Sequence, residues 1–420
     1  MATRTWRTVL LVWIGGLLLL LAGCGGGQAQ TSVTSRVGDP LLPNRLNENL
    51  DRFVSNTLGQ PDVVNTALLF ESPERNYRYL RAAGKANPQT GELMTTTYPF
   101  RVASISKVFT ATVILQLAEE GYFTLDTPLS SLLGGVRLPA GYALDDLQIT
   151  AGFKTGGSVT IRQLLQHTAG MRDYIADSPT VQDSNGLFAQ MINDVLNNAG
   201  RGLAAKHWDG AGLLDYYLES GLARNALFVP GSRFDYSDTH YLLLGLVIER
   251  VTGQSLTSNY RGRIFNRLGM VNTWHEGFEP ARGRIAHHFY NLIPQGVNRN
   301  LDVTATTLDT SAAWASGAVV STVEDLSLFM RALMKGQLFH SSATLAEMRQ
   351  LTAISPNYGL GLQHAVFNGH EVWGHAGFWG AIMLYAPDKD AYLVMTVNQA
   401  SRDMFAEAER AFAYALNAGL

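Results

Sequence analysis

The residues of this chain best suited to chemistry are a serine and a lysine three positions apart. Ser104-Ile105-Ser106-Lys107 opens a run, Ile105 to Ala118, with apolar residues on every side. That is the pattern of a helix buried in a core rather than laid on a surface. Lys107 is the one charge between Arg101 and Glu119. Such an ammonium must be paired or must face a polar cavity, because desolvating it alone is too costly. Three residues back, on the same helical face, lies the hydroxyl of Ser104. A hydroxyl and an amine held together at a buried helix N-terminus can make an activated nucleophile, the S-x-x-K arrangement. The structural alternative is that Ser104 only caps the helix and Lys107 snorkels to the surface from its first turn.

Two more stretches carry candidates. Tyr236-Ser237-Asp238 follows the Pro230-Gly231 turn and enters an apolar helix, Thr239 to Thr252, that stops at Gly253. Asp238 suits an N-cap as well as a catalytic role, and Tyr236 suits ordinary packing. His375-Ala376-Gly377 lies in a C-terminal region of period-two pattern, where His375 suits either a site or a satisfied strand histidine.

The elements that must position these residues read as follows. A helix runs from about Leu46 to Asn56, then strands Val63 to Glu71 and Tyr77 to Gly84 flank a Ser72-Pro73-Glu74 turn. The Phe100 to Gly121 helix follows. Thr160 and Gln163 form a capping box for a helix that ends at Gly170. Leu187 to Arg224 is helical and loop-rich, as the cover of a cleft should be. Val323 to Lys335 is amphipathic. Leu360 to Phe367 and His370 to Trp373 flank Asn368-Gly369, a strong hairpin signal, and Ala381 to Ala386 and Ala391 to Val397 flank Pro387-Asp388-Lys389-Asp390. A last helix spans Arg402 to Asn417. The expectation is an α+β fold, with one antiparallel sheet built from both chain ends and a mostly helical region, about 105–300, inserted between them.

The first 24 residues read as a targeting segment. Arg4 and Arg7 precede an apolar stretch, Val9 to Leu21, that is short for a span of about 20 residues. It ends in Leu21-Ala22-Gly23-Cys24, which resembles the lipobox of bacterial lipoproteins and implies lipidation of Cys24 and export to the outer side of a membrane. An uncleaved anchor is the alternative. Residues 25–45 are polar and suit a tether, leaving 46–420 as the catalytic domain. Cys24 is the sole cysteine, so the mature chain has neither disulfide nor thiolate zinc site. The net charge of −3 gives no basic excess for nucleic acid.

Taken in order, the motifs resemble those of the serine β-lactamase and penicillin-binding-protein superfamily, in its branch of class C β-lactamases, D-alanyl-D-alanine carboxypeptidases and related esterases. Ser104-Ile-Ser-Lys107 matches S-x-x-K, Tyr236-Ser-Asp238 resembles Y-x-N, and His375-Ala-Gly377 resembles K/H-x-G. Leu164-Leu-Gln-His-Thr-Ala-Gly170, Tyr358-Gly-Leu-Gly361 and Gly374-His-Ala-Gly-Phe-Trp-Gly380 agree as accessory stretches. The resemblance implies that Ser104 becomes acylated, with Lys107 or Tyr236 taking its proton. The field of Lys107 is expected to favour the Tyr236 phenolate, against an unperturbed pKa of about 10. It also implies an oxyanion hole made by the backbone amides of Ser104 and Phe378. His375 is expected to orient Tyr236 or a substrate carboxylate, and Asp238 and Gly377 fall at substrate-binding positions. No metal or cofactor is implied.

Two departures shape the substrate. His375 replaces the lysine of class C β-lactamases, which points toward peptidases and esterases. Asp238 replaces the usual asparagine; an ionised aspartate only accepts hydrogen bonds, so it offers a substrate carbonyl no donor and could instead pair with Lys107. A small or peptidoglycan-type ester or D-amino-acid peptide is therefore the first expectation. β-Lactam hydrolysis is second, and a weakly catalytic cell-wall binding protein third. G-x-S-x-G and H-E-x-x-H are both absent, which argues against an α/β-hydrolase and a zincin.

Overall fold

The computed structural model describes residues 41–177, 186–198, 200–292, 300–400 and 402–420. The expected targeting segment and the expected lipidation site, Cys24, lie outside the described residues. Two strands from the N-terminal part, β1 (Asn65–Ser72) and β2 (Tyr77–Asn87), join four from the C-terminal part. These are β4 (Gln363–Phe367), β5 (His370–Gly377), β6 (Ala381–Ala386) and β7 (Ala391–Thr396). With the short β3 (Glu92–Leu93) at one edge, the order is β4-β5-β6-β7-β1-β2-β3, antiparallel throughout. Both chain ends thus build one sheet, as the patterns predict. The pairing of Ala67 with Thr396 in the sheet centre closes it.

Every residue of β1 is buried, because both faces of the sheet are covered. Alternate side chains point opposite ways along a strand. Leu68 and Phe70 enter the smaller core, under the terminal helices α1 (Leu42–Leu58) and α5 (Met404–Asn417). Ala67 and Leu69 enter the larger core, which holds the helical region. Phe70 meets Phe412 edge-on at 5.4 Å; full burial of such a ring is worth about 1.5–3 kcal/mol. Helix α1 starts at Leu42, four residues before the expected position. Pro43 occupies its first turn, where a missing N–H costs nothing, and Arg45 Nε bonds Ala418 O at 3.2 Å. Strand β2 likewise outruns its expected end at Gly84. That glycine, at φ 87°, bends the strand past Val64, where a Cβ would sit 2.3 Å from the carbonyl oxygen.

Two helices and one hairpin carry the site residues. Helix α2 (Ser106–Glu119) is buried from Ser106 to Leu117, as its all-round apolar sequence requires, and Gly121 at φ 81° ends it. Helix α3 (Asp238–Thr252) packs beside it. The β4–β5 hairpin turns through Asn368 and Gly369, both left-handed (φ 50° and 84°), the conformation that Asn-Gly favours. Helix α4 (Val323–Met334), capped by Thr322, packs across β1, β6 and β7. A small sheet of Phe100–Arg101, Val319–Ser321 and Trp274–His275 sits at the entry to α2. Strands of two or three residues carry no periodicity, so this sheet has no signature in the sequence.

Candidate active site

The chain reaches Ser104 through a strained approach. Ala103 lies in the left-handed region at φ 46°, and Ala103–Ile105 form a single 3₁₀ turn ahead of α2. No side chain caps α2. The Ser104 hydroxyl, partly exposed, instead faces Lys107 in the next turn. Lys107 is 0 % exposed, so it does not snorkel. Its Nζ meets Ser104 Oγ at 3.1 Å, Asp238 Oδ1 at 2.5 Å and Ser316 O at 3.0 Å. Three acceptors around one nitrogen match the three N–H bonds of an ammonium.

Asp238 is the first residue of α3 rather than its cap. Ser237 holds that position, its Oγ accepting from Thr239 N at 3.2 Å. The Asp238 carboxylate is turned to Lys107, and its backbone N–H donates to Asp173 Oδ2 at 3.1 Å. Asp173 Oδ1 accepts from Ile175 and Ala176 N–H. Burial, then the facing charges of Asp238 and Asp177, push Asp173 well above the usual carboxylate range.

Tyr236 corrects one expectation. Lys107 Nζ lies 4.8 Å from the centre of its ring, but the charge nearest in effect to the phenol is the Asp238 carboxylate. Burial first and Asp238 second push the Tyr236 hydroxyl well above 10, while the Ser104 side chain acts in the opposite direction. The phenol therefore keeps its proton at neutral pH. Tyr236 retains some exposure, yet its Oη is buried and forms no hydrogen bond among the described residues.

His375 is buried on β5, and both ring nitrogens are used. Nδ1 lies 2.7 Å from Ala376 O and Nε2 3.0 Å from Tyr358 Oη. Nδ1 therefore carries the proton and Tyr358 donates to Nε2. Burial and the Lys107 charge hold its pKa down to about 3. A neutral ring with no free nitrogen makes no hydrogen bond to Tyr236 and offers no charge to a substrate carboxylate, so the expected orienting role passes to packing. The rings of His375 and Tyr236 lie 6.2 Å apart. Below them, His167 packs on Tyr236 at 4.3 Å and accepts from Ser237 N–H at Nδ1 (3.2 Å), which fixes the loop that enters α3. His240 Nδ1 is 3.0 Å from the same His167 nitrogen, so His240 carries the proton between them. Burial and Lys107 hold the His240 pKa down to about 3.

At Gly377 the structure leaves no room for a side chain. A Cβ there would lie 2.1 Å from Val102 O and 3.3 Å from Ala103 Cβ. Its absence lets the end of β5 close on the turn that holds Ser104. The Phe378 ring meets Phe188 edge-on at 5.2 Å, so the helix Leu187–Asn197 covers this end of the site.

The structure thus brings Ser104, Lys107, Tyr236, Asp238 and the Gly377–Phe378 turn together, with His375 one layer behind. His167 and Tyr358 emerge as supporting residues; both lie in the accessory stretches of the sequence. Asp173, His240 and the Ser316 carbonyl carry no sequence signal, because their roles rest on contacts across 65 to 209 positions of chain.

The Beta-lactamase family model matches residues 73–417. The chain is 26 % identical to penicillin-binding protein 4 of Amycolatopsis lactamdurans over 319 residues, 72 % of each chain. It is 29 % identical to esterase EstB of Burkholderia gladioli over 215 residues, 50 % of this chain and 47 % of the esterase. A D-stereospecific amidohydrolase from Streptomyces sp. superposes with a TM-score of 0.69 at 27 % identity, covering 86 % of this chain and 96 % of its own. The chain belongs to the β-lactamase family and is a serine hydrolase of that family.

Proposed function

We propose that this protein is a lipid-anchored, extracytoplasmic hydrolase that works through an acyl-enzyme on Ser104, with esters and D-amino-acid peptides as its substrates. The observation that carries this reading is the partly exposed Ser104 Oγ held 3.1 Å from the fully buried Lys107 Nζ, beside the Gly377–Phe378 turn. Ser104 Oγ attacks the substrate carbonyl, and the amides of Ser104 and Phe378 receive the oxyanion. Tyr236, keeping its proton, is placed to hydrogen-bond the departing oxygen or nitrogen. Asp238, turned to Lys107, presents no amide donor to a substrate carbonyl. That favours esters over β-lactams, in line with the similarity to an esterase and to a D-stereospecific amidohydrolase.

Intact-protein mass spectrometry after exposure to a fluorophosphonate and to a fluorescent penicillin tests the reading. One phosphonyl adduct per chain, mapping to Ser104, is expected. Penicillin labelling without a phosphonyl adduct would favour the second reading, a penicillin-binding protein, which the similarity to such a protein over 72 % of each chain supports. No adduct from either reagent would remove Ser104 as the nucleophile.

The anchor rests on the Leu21-Ala22-Gly23-Cys24 sequence. Among the described residues, no helix is long and apolar enough to cross a membrane. The wild-type protein is expected to partition into detergent with bacterial membranes and Cys24→Ser to leave that fraction. An unmodified Cys24 in the mature wild-type chain overturns the anchor.

A further inference from the structure

A neutral Tyr236 leaves the Ser104 proton without an evident destination. Lys107 is the group in reach, but its nitrogen already holds three protons, each directed at an acceptor. An ammonium cannot take a fourth. One of its three acceptors can take a proton from it. The carbonyl of Ser316 is far too weak a base, and Ser104 is the reactant; the third is the Asp238 carboxylate at 2.5 Å. The residue is held in place from its other side, where Asp173 Oδ2 accepts the Asp238 backbone N–H at 3.1 Å.

We propose that Asp238 is the proton store for the activation of Ser104, acting through Lys107. The proposal rests on the acyl-enzyme reading above. Lys107 first passes one N–H proton to Asp238 Oδ1, giving an amine beside a carboxylic acid with no change in net charge. The amine turns about its Cε–Nζ bond so that its lone pair faces Ser104 Oγ. The Oγ–H bond then breaks as Oγ bonds to the substrate carbonyl carbon. The proton goes to Nζ, and the carbonyl π pair goes to the oxyanion. When the intermediate collapses, the leaving group takes a proton from Lys107, and Lys107 recovers its own from Asp238. The site ends with an ammonium and a carboxylate, as it began. Asp238 is thereby a positioning residue with a second duty, and aspartate is required at a place where asparagine could hold Lys107 but could not store a proton.

The groups that face Asp238 are Lys107 on α2, Asp173 and Tyr174 after the Gly170 stop, Tyr236 in the loop ahead of α3, and Tyr358 ahead of β4. Both tyrosines nearest the nucleophile's loop and the cleft floor keep their protons through burial, which leaves the Lys107–Asp238 pair as the exchanging unit.

The test is the pH profile of kcat/KM for a nitrophenyl ester. In the wild type, the lysine proton stays inside the site, so the profile is flat across neutral pH. In Asp238→Asn, the amide oxygen still accepts from Lys107, but the lysine must lose its proton to solvent before Ser104 can react. A fall of about 10²-fold or more at pH 7 is expected, with KM changed less than about threefold, and the rate should climb tenfold per pH unit above neutrality. Asp238→Glu should recover part of the loss. Parallel profiles for wild type and Asp238→Asn overturn the proposal, as does a loss of activity with no alkaline recovery. Asp238→Asn leaves a buried ammonium without a counter-charge and could fail to fold, so a second measurement uses the wild type alone. The rate of wild-type inactivation by the fluorophosphonate should be as flat across neutral pH as ester turnover, and a rate that climbs tenfold per pH unit there overturns the proposal. Ser104 labelling in both proteins separates the two readings: loss of labelling in the wild type defeats the acyl-enzyme, whereas labelling with unchanged profiles defeats the proton store alone.

Discussion

Ser104→Ala is expected to lower kcat/KM for a short-chain nitrophenyl ester by about 10⁴-fold or more, the scale found when a hydrolytic nucleophile is removed. Covalent labelling by the fluorophosphonate should disappear with it. The fold should barely respond. Ser104 supplies no cap to α2, and its hydroxyl accepts one bond, from Lys107. Lys107 keeps its bonds to Asp238 and Ser316 in the variant. The stability change is therefore about 1 kcal/mol, a melting shift within about 3 °C for a chain of this size. Ester hydrolysis at the wild-type rate, in a folded variant, would give the chemistry to another residue. A large melting shift would mean that Ser104 holds the turn at Ala103 as well as attacking.

The fold was legible in the sequence where a pattern repeats over many residues. The all-round apolar run of α2, the Asn368-Gly369 turn and the alternating C-terminal strands each impose one geometry on the chain, and those geometries appear. Boundaries were read less well. Gly84 looked like the end of a strand because glycine usually breaks one, and here it lets β2 bend past Val64 instead. Of the site, the residue types were legible and the electrostatics were not. A buried Lys107 needs partners; the sequence offers the Ser104 hydroxyl and, as an alternative role, Asp238, and the structure gives it both. What the chain does not reveal is the direction of each charge's effect. The expected Tyr236 phenolate weighs the charge of Lys107 alone and leaves out that of Asp238. Once Asp238 sits on Lys107, its charge opposes the phenolate and burial does the rest. His375 tells the same story at shorter range. A histidine in a K/H-x-G motif invites a charged role, but Tyr358 and the Ala376 carbonyl occupy its two nitrogens.

Lys107→Met is the variant expected to cost the most in stability. The wild-type pair is held inside the molecule, with the lysine side chain 0 % and the aspartate 15 % exposed. Methionine matches the volume of the lysine stem and packs in an apolar helix, so lost packing contributes little. What it leaves is a carboxylate at Asp238 without its cation, facing Asp173, and a Ser316 carbonyl without its donor. Breaking one side of a buried ion pair costs about 3–5 kcal/mol. Activity should fall with it by about 10³-fold or more, since Ser104 loses the group that takes its proton. Instability alone could produce that loss, so the informative measurement is the cycle with Asp238. Removing both partners, as Lys107→Met with Asp238→Leu, takes away the unpaired charge as well as the pair. The double variant is expected to be more stable than Lys107→Met alone by about 2 kcal/mol or more, yet equally inactive. That combination, recovered fold without recovered turnover, is what a pair kept for chemistry predicts. If the double variant is less stable than Lys107→Met by the full cost of the second substitution, the two side chains do not act as a pair. The 2.5 Å contact would then carry neither the stability nor the proton transfer assigned to it.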